Sequence, residues 1–160
     1  MELKLGSIIK TIISNTLKNM EQGEFQEFCL DFLPKYKNKY IGLERHGSMP
    51  SGKTRKGTPD SIKTFNDGIQ IASQQGTEKN YWSFKNVKTS KPYQDIEKCV
   101  KHLSNLSEIV LVCNVEIPTN KANVKTEIIR EAKKITNATI TLLSISNIEE
   151  EISKNIDKYE

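Results

Sequence analysis

The first 34 residues carry apolar side chains at the spacing of amphipathic helices. The pattern predicts a first helix over 3–20 and, after a polar break at 21–23, a second helix over 24–34. Pro34 is expected to end the second helix, because proline lacks the N–H that would continue it. The apolar positions are Leu3, Ile8, Ile9, Ile12, Ile13 and Leu17 in the first helix, and Phe25, Phe28, Cys29, Phe32 and Leu33 in the second.

Strand patterns begin after this helical region. Residues 40–46 predict one strand, and residues 60–66 and 68–74 predict two more. The sequence Asn66-Asp67-Gly68 between the last two is a strong signal for a tight hairpin turn. The first half of the sheet is therefore expected to be an antiparallel meander.

The remainder of the chain alternates helix and strand. Pro92 suits the first turn of a helix that runs to about residue 105. The continuous apolar run 108–114 is typical of a central strand that is buried on both faces. The other predicted elements are a helix over 120–136, a strand over 138–145 and a helix over 147–157 capped by Ser146 or Asn147.

This order of elements predicts an α/β fold. The chain of 160 residues fits one domain of about 150 residues, with a mixed central β-sheet and helices on both faces. No apolar run reaches the ~18–20 residues that a membrane span needs, so no membrane partner is expected. Three widely spaced cysteines (Cys29, Cys99 and Cys113) argue against a disulfide framework and favour a reducing cytoplasm.

Positive charge is concentrated in the first two thirds of the chain. Residues 1–103 hold 17 Lys and Arg against 11 Asp and Glu, whereas residues 104–160 hold 7 against 9. The densest basic stretch, 48–56, contains Lys53, Arg55 and Lys56 among glycine and serine. Such a loop can contact phosphates, although a solvated charged loop is the common alternative. His46 adjoins this stretch and is a further candidate for contacting phosphates.

Candidate metal ligands flank the basic stretch. Asp60 opens a predicted strand directly after it, and Gln70 lies on the partner strand of the hairpin. Glu27 lies off the aromatic face of the second helix, and Glu24 is the second choice there. Mg²⁺ prefers oxygen ligands of this kind, and Mn²⁺ accepts the same set. Asp60, Gln70 and Glu27 are therefore predicted to bind the ion.

These residues carry a resemblance to a known family. A helix containing EFQEF, a glycine-rich turn, a G-x-x-D segment, a short hairpin and an I-Q-x-x strand follow one another over residues 22–145. This arrangement resembles the PD-(D/E)xK nuclease superfamily, and most of all its Mrr-type restriction endonuclease branch, in which the second acidic position is often glutamine. The resemblance implies a restriction-endonuclease-like core, with the helices 3–20 and 147–157 flanking it.

The resemblance also implies an activity and partners. It implies Mg²⁺-dependent hydrolysis of DNA phosphodiester bonds in bacterial defence or restriction, by a homodimer. Similar domains are fused to sensor or NTPase modules, so such a partner domain is a further expectation. Asp60, Gln70 and Glu27 would be catalytic as well as metal-binding.

One residue departs from the family pattern. The family's lysine would lie two residues after Gln70, and that residue is Ala72. Lys85, Lys79 or Lys63 could replace it, and Lys85 is taken as the candidate catalytic lysine. Alternatively, the polar run Ser73-Gln74-Gln75 could replace the missing lysine in a site of different geometry. The alternative function is a catalytically degenerate module that binds DNA or assembles with protein partners.

Overall fold

The computed structural model describes residues 5–46 and 59–159. The five α-helices of these ranges are α1 (Leu5–Lys18), α2 (Gln22–Tyr36), α3 (Lys91–His102), α4 (Val124–Ala132) and α5 (Ile145–Lys154). The five strands are β1 (Glu44–Arg45), β2 (Ser61–Thr64), β3 (Gln70–Gly76), β4 (Leu106–Cys113) and β5 (Thr139–Leu143). Short 3₁₀ helices span Asn38–Tyr40, Val87–Thr89 and Ile156–Tyr159.

The strands form one mixed sheet in the order β1-β2-β3-β4-β5. β2 pairs antiparallel with both β1 and β3, whereas β4 pairs parallel with both β3 and β5. The hairpin between β2 and β3 turns at Gly68, whose φ of 87° favours glycine. The predicted α/β domain with a mixed sheet flanked by helices is confirmed, and so is the meander that precedes the crossover units.

Two apolar layers cover the faces of the sheet. On one face, Ile71 and Val110 pack in a cluster with residues of α1, α2 and α5. On the other, Ala72 and Leu111 pack with residues of α3 and α4. Successive residues of a strand point to opposite faces, so β4 contributes to both layers. Its residues from Ile109 to Cys113 are fully buried, as predicted for a central strand.

Three local predictions were wrong. In the segment 40–46 the predicted strand is reduced to the two residues of β1, because a 3₁₀ helix ends at Tyr40, whose hydroxyl donates to the buried carboxylate of Glu108, and a turn follows it. Pro34 lies within α2, which continues to Tyr36, so the one intrahelical hydrogen bond that proline cannot make does not end the helix at this residue. Ser144 caps α5, since its side chain and that of Asn147 form a reciprocal capping box.

The α-helices are 9 to 15 residues long. None of those in residues 5–46 and 59–159 is long and apolar enough to cross a bilayer.

Candidate functional site

Asp60 lies where the start of β2 meets the end of β3. Its backbone N–H is directed at the carbonyl of Ser73, 3.1 Å away, and at Oε1 of Gln74, 2.8 Å away. Its Oδ2 accepts a 2.7 Å hydrogen bond from the backbone N–H of Gln75, and its Oδ1 accepts a 3.2 Å bond from Nε2 of Gln26. The carboxylate is thereby held between the sheet and α2.

A second set of polar contacts joins α2 to β1. Nη1 of Arg45 lies 2.5 Å from Oε1 of Glu27, and its Nη2 donates to Oε1 of Gln26 at 2.8 Å. Because Gln26 also donates to Asp60, the groups form a continuous path from Glu27 to Asp60. Charge-assisted contacts of this kind fix side-chain orientation. Glu27 is thus linked to Asp60 through Arg45 and Gln26, and both carboxylates line the same cavity.

Asp60 lines a cavity of about 760 Å³ to which α2 and α3 both contribute charged side chains. The α2 wall is acidic, with Glu21, Glu24 and Glu27. The α3 wall carries Lys91 and Lys98 together with Asp95, and Arg45 and Glu78 line the cavity as well. The end of β3, with Gln74, Gln75 and Gly76, also lines the cavity.

Lys91 is held in the α3 wall by a buried carboxylate. Its Nζ lies 2.9 Å from Oδ1 of Asp95, and the Nζ of Lys98 lies 4.0 Å from the same oxygen. Burial lowers the pKa of Lys91, but the charge and hydrogen bond of Asp95 outweigh burial, so its pKa is raised. Lys91 is therefore a cation at neutral pH.

Tyr81 also contacts the buried carboxylate of Asp95. Its hydroxyl donates a 2.9 Å hydrogen bond to Oδ2 of Asp95. Burial, and then the nearby charge of Asp95, raise the pKa of Tyr81, so its hydroxyl stays protonated. A Cβ added to Gly76 would lie 2.6 Å from the Tyr81 ring. Gly76 lies two residues after Gln74. The Tyr81 ring therefore leaves no room for a long side chain at position 76.

The structure separates two of the predicted site residues from Asp60. Gln70 lies at the far end of β3, opposite Thr64, to whose Oγ1 its amide donates at 3.1 Å. The reason is the antiparallel register, which pairs Ser61 with Ser73 and so places Asp60 beside the last residues of β3. Lys85 lines two smaller depressions next to α4, away from the cavity.

The other predicted residues have varied positions. The Nζ of Lys63 donates to the Lys39 carbonyl at 2.8 Å, outside the cavity lining. His46 follows β1, and its backbone N–H donates to the Asp60 carbonyl at 2.9 Å. The candidate DNA-binding residues Lys53, Arg55 and Lys56 lie outside the described residues.

Sequence reasoning missed the lysines of α3 and did not single out Gln74. Lys91, Asp95 and Lys98 lie at positions i, i+4 and i+7, which share one face of a helix, so the spacing carried a usable signal. Gln74 belongs to the polar run already considered as an alternative. Gln74 could be predicted as a site residue only if the register of β2 against β3 were known, because that register decides which end of β3 meets Asp60.

Among the described residues, no group of three or more His, Cys, Asp and Glu side chains is arranged to hold a metal ion. The oxygen donors of the cavity include amides as well as carboxylates. Comparison with protein-family models, with curated proteins and with solved structures gave no match.

Proposed function

We propose that the protein is a metal-dependent endonuclease that hydrolyses DNA phosphodiester bonds at the cavity beside Asp60. The observation that carries the proposal is that carboxylates, amides and two lysines line one cavity beside Asp60. Oxygen donors of Asp60, Gln74 and the α2 glutamates line the same cavity as Lys91 and Lys98. A cation on one wall and a phosphate between the walls would both meet complementary charge.

The donor chemistry fits a hard divalent cation. Mg²⁺ is bound through one or two carboxylates, with waters and substrate phosphate completing its shell. Asp60 would hold it, with Gln74 and Glu24 or Glu27 as further oxygen donors; no thiol or imidazole lines the described part of the cavity. When bound, such an ion activates water and neutralises charge on the phosphate. Mn²⁺ suits the same donors.

The side chains of this chain bind and orient the substrate. Lys91, fixed by Asp95, offers a positioned cation to a phosphate oxygen, and Lys98 adds a second positive charge on the same wall. Gln26 and the Gln75 backbone keep the Asp60 carboxylate from rotating. In this arrangement Lys91 takes the place that the family pattern gives to a strand lysine.

Plasmid cleavage tests the proposal. Supercoiled plasmid would be incubated with MgCl₂, with MnCl₂ or with EDTA, using the wild type, Asp60→Asn and Gln74→Ala. We expect metal-dependent nicking by the wild type and its loss in both variants. Gln70→Ala is the matched control for Gln74, and Asp31→Asn, an exposed carboxylate elsewhere on α2, is the control for Asp60. Both controls should retain activity.

Two results would contradict the proposal. The first is a folded wild type that cuts neither plasmid nor oligonucleotide with either metal. The second is cleavage that survives Asp60→Asn, because a contaminating nuclease would then be its source. Loss of activity in Gln70→Ala together with full activity in Gln74→Ala would restore the site predicted from sequence.

A catalytically degenerate module is the second candidate. It is favoured by the contacts of Asp60, whose two carboxylate oxygens both accept hydrogen bonds from the protein, and by the pairing of Glu27 with Arg45. These contacts suit a structural role. Such a module would bind DNA in a salt-sensitive way without cutting it, or bind a protein partner. A homodimer and a sensor or NTPase partner remain predictions of the family resemblance.

A further inference from the structure

The two histidines of the chain meet side by side although 56 positions separate them. Nε2 of His46 lies 3.2 Å from Nε2 of His102, and the ring centroids are 5.3 Å apart in an edge-to-face arrangement. His46 directly follows β1, and His102 is the last residue of α3. Two elements that are distant in the chain therefore present imidazole nitrogens to each other.

The distance between the nitrogens suits a shared metal ion. Zinc–imidazole bonds are about 2.0–2.1 Å, so two imidazole nitrogens on a tetrahedral zinc lie roughly 3.3–3.4 Å apart. The separation between His46 and His102 differs from this by only a few tenths of an ångström. Small rotations of two partly exposed rings would be sufficient to direct both lone pairs at one ion.

The position of His102 also favours a cation. The carboxyl end of a helix carries partial negative charge from its last carbonyl groups, which attracts positive charge. α3 has 12 residues and ends at His102. A cation bound at this imidazole would lie close to that helix terminus.

We propose that His46 and His102 form a binding site for a borderline transition-metal ion of the zinc class, with water completing its coordination. Imidazole nitrogens suit zinc, copper and nickel, whereas Mg²⁺ prefers oxygen, so this site is distinct from the proposed nuclease site. In the metal-free pair one Nε2 carries the proton that the other accepts. On binding, that imidazole carries its proton on Nδ1 instead, so no net proton is released.

The ion would tie together the two sides of the cavity. His46 donates its backbone N–H to the carbonyl of Asp60, and α3 carries Lys91 and Lys98. A bridge from His46 to His102 therefore restrains Asp60 relative to the lysine wall. The histidine site would have a structural role, since neither His46 nor His102 lines the cavity.

Zinc titration calorimetry tests the proposal on the full chain without an affinity tag. The wild type should bind one equivalent of ZnCl₂, and His102→Gln should bind at least about tenfold more weakly. His46→Gln should show the same loss, and the double variant should lose little more, because chelation needs both rings. The three cysteines do not compete, since all are buried and burial raises the pKa of Cys113 to about 12.

Electron paramagnetic resonance with Cu²⁺ gives a second measurement. Hyperfine splitting from two imidazole nitrogens is expected in the wild type and from one in His102→Gln. His102 is exposed in the last turn of α3, so this variant decides the matter even where His46→Gln fails to fold. Zinc affinity in folded His102→Gln within about twofold of the wild type would overturn the proposal. So would zinc binding that Asp60→Asn abolishes and both histidine variants retain.

Discussion

The carboxylate of Asp60 accepts a 2.7 Å hydrogen bond from the backbone N–H of Gln75, 15 residues further along the chain. This contact closes the corner between the start of β2 and the end of β3, and Gln26 of α2 donates to the other carboxylate oxygen. Asp60 is thus both the proposed centre of the site and a tie between three elements. The role of Asp60 in the proposed site and its contribution to stability can be measured separately.

Removing the Asp60 carboxylate should destabilise the fold. In Asp60→Ala the buried Gln75 N–H loses its side-chain acceptor, which is expected to lower the free energy of unfolding by about 1–3 kcal/mol. Urea denaturation followed by circular dichroism measures this. Asp31→Ala, at an exposed position of α2, should stay within about 0.5 kcal/mol of the wild type. Equal free energies of unfolding for the two variants would show that the hydrogen bonds of Asp60 do not contribute to stability.

The absence of a side chain at Gly76 should be essential to packing. In Gly76→Ala the new Cβ would lie 2.6 Å from the Tyr81 ring, and overpacking of this kind costs about 1–3 kcal/mol. Thermal and urea unfolding measure the loss. The matched control is Gly23→Ala in α2, where the added Cβ meets nothing within 4 Å. An unchanged midpoint in Gly76→Ala would mean that the Tyr81 ring moves aside freely.

Lys91 should matter more to cleavage than to DNA affinity. Lys91→Ala removes a cation fixed by Asp95, and loss of one positioned electrostatic group typically lowers kcat by about 10²–10³-fold. Single-turnover cleavage of a labelled duplex measures the rate, and fluorescence anisotropy measures the affinity. Lys88→Ala, in the exposed 3₁₀ helix before α3, is the control and should cut at the wild-type rate. A wild-type rate in Lys91→Ala would exclude it as the replacement lysine.

The free energy of unfolding should depend on pH through the ionisation of Glu108. Its buried carboxylate accepts hydrogen bonds from Tyr40 at 2.5 Å and Thr141 at 2.6 Å, and Nζ of Lys39 lies 2.8 Å away. Burial alone raises the pKa of Glu108, but the bonds from Lys39, Thr141 and Tyr40 outweigh it, so its pKa is lowered. A lowered folded-state pKa gives stability that is present above the unfolded value of about 4.3 and is lost on acidification below it.

Glu108→Gln isolates this contribution. At pH 7 the variant should be less stable than the wild type by roughly 1–3 kcal/mol, because charged hydrogen bonds become neutral ones. The difference should shrink as the pH falls below about 4, since the wild-type carboxyl is then protonated too. Urea unfolding across pH 3–7 measures both curves. Parallel curves would show that Glu108 does not contribute to the pH dependence.

Local sequence signals determined the elements and the class of the fold. Apolar spacing identified the helices on either side of the sheet, and the run from Ile109 to Cys113 identified the buried central strand. The turn at Gly68 followed from Asn66-Asp67-Gly68. These signals succeed because helix periodicity, strand alternation and turn chemistry depend on residues close together in the chain.

Only the tertiary structure decided which residues share the site. Asp60 meets Gln74 and Gln75 rather than Gln70, because the antiparallel register places the start of β2 at the end of β3. Lys91 reaches the same cavity from α3, a helix that begins 31 residues after Asp60. The meeting of His46 and His102 likewise depends on packing. Register and helix docking are set by the combined burial of many apolar side chains, and no short stretch of sequence encodes them.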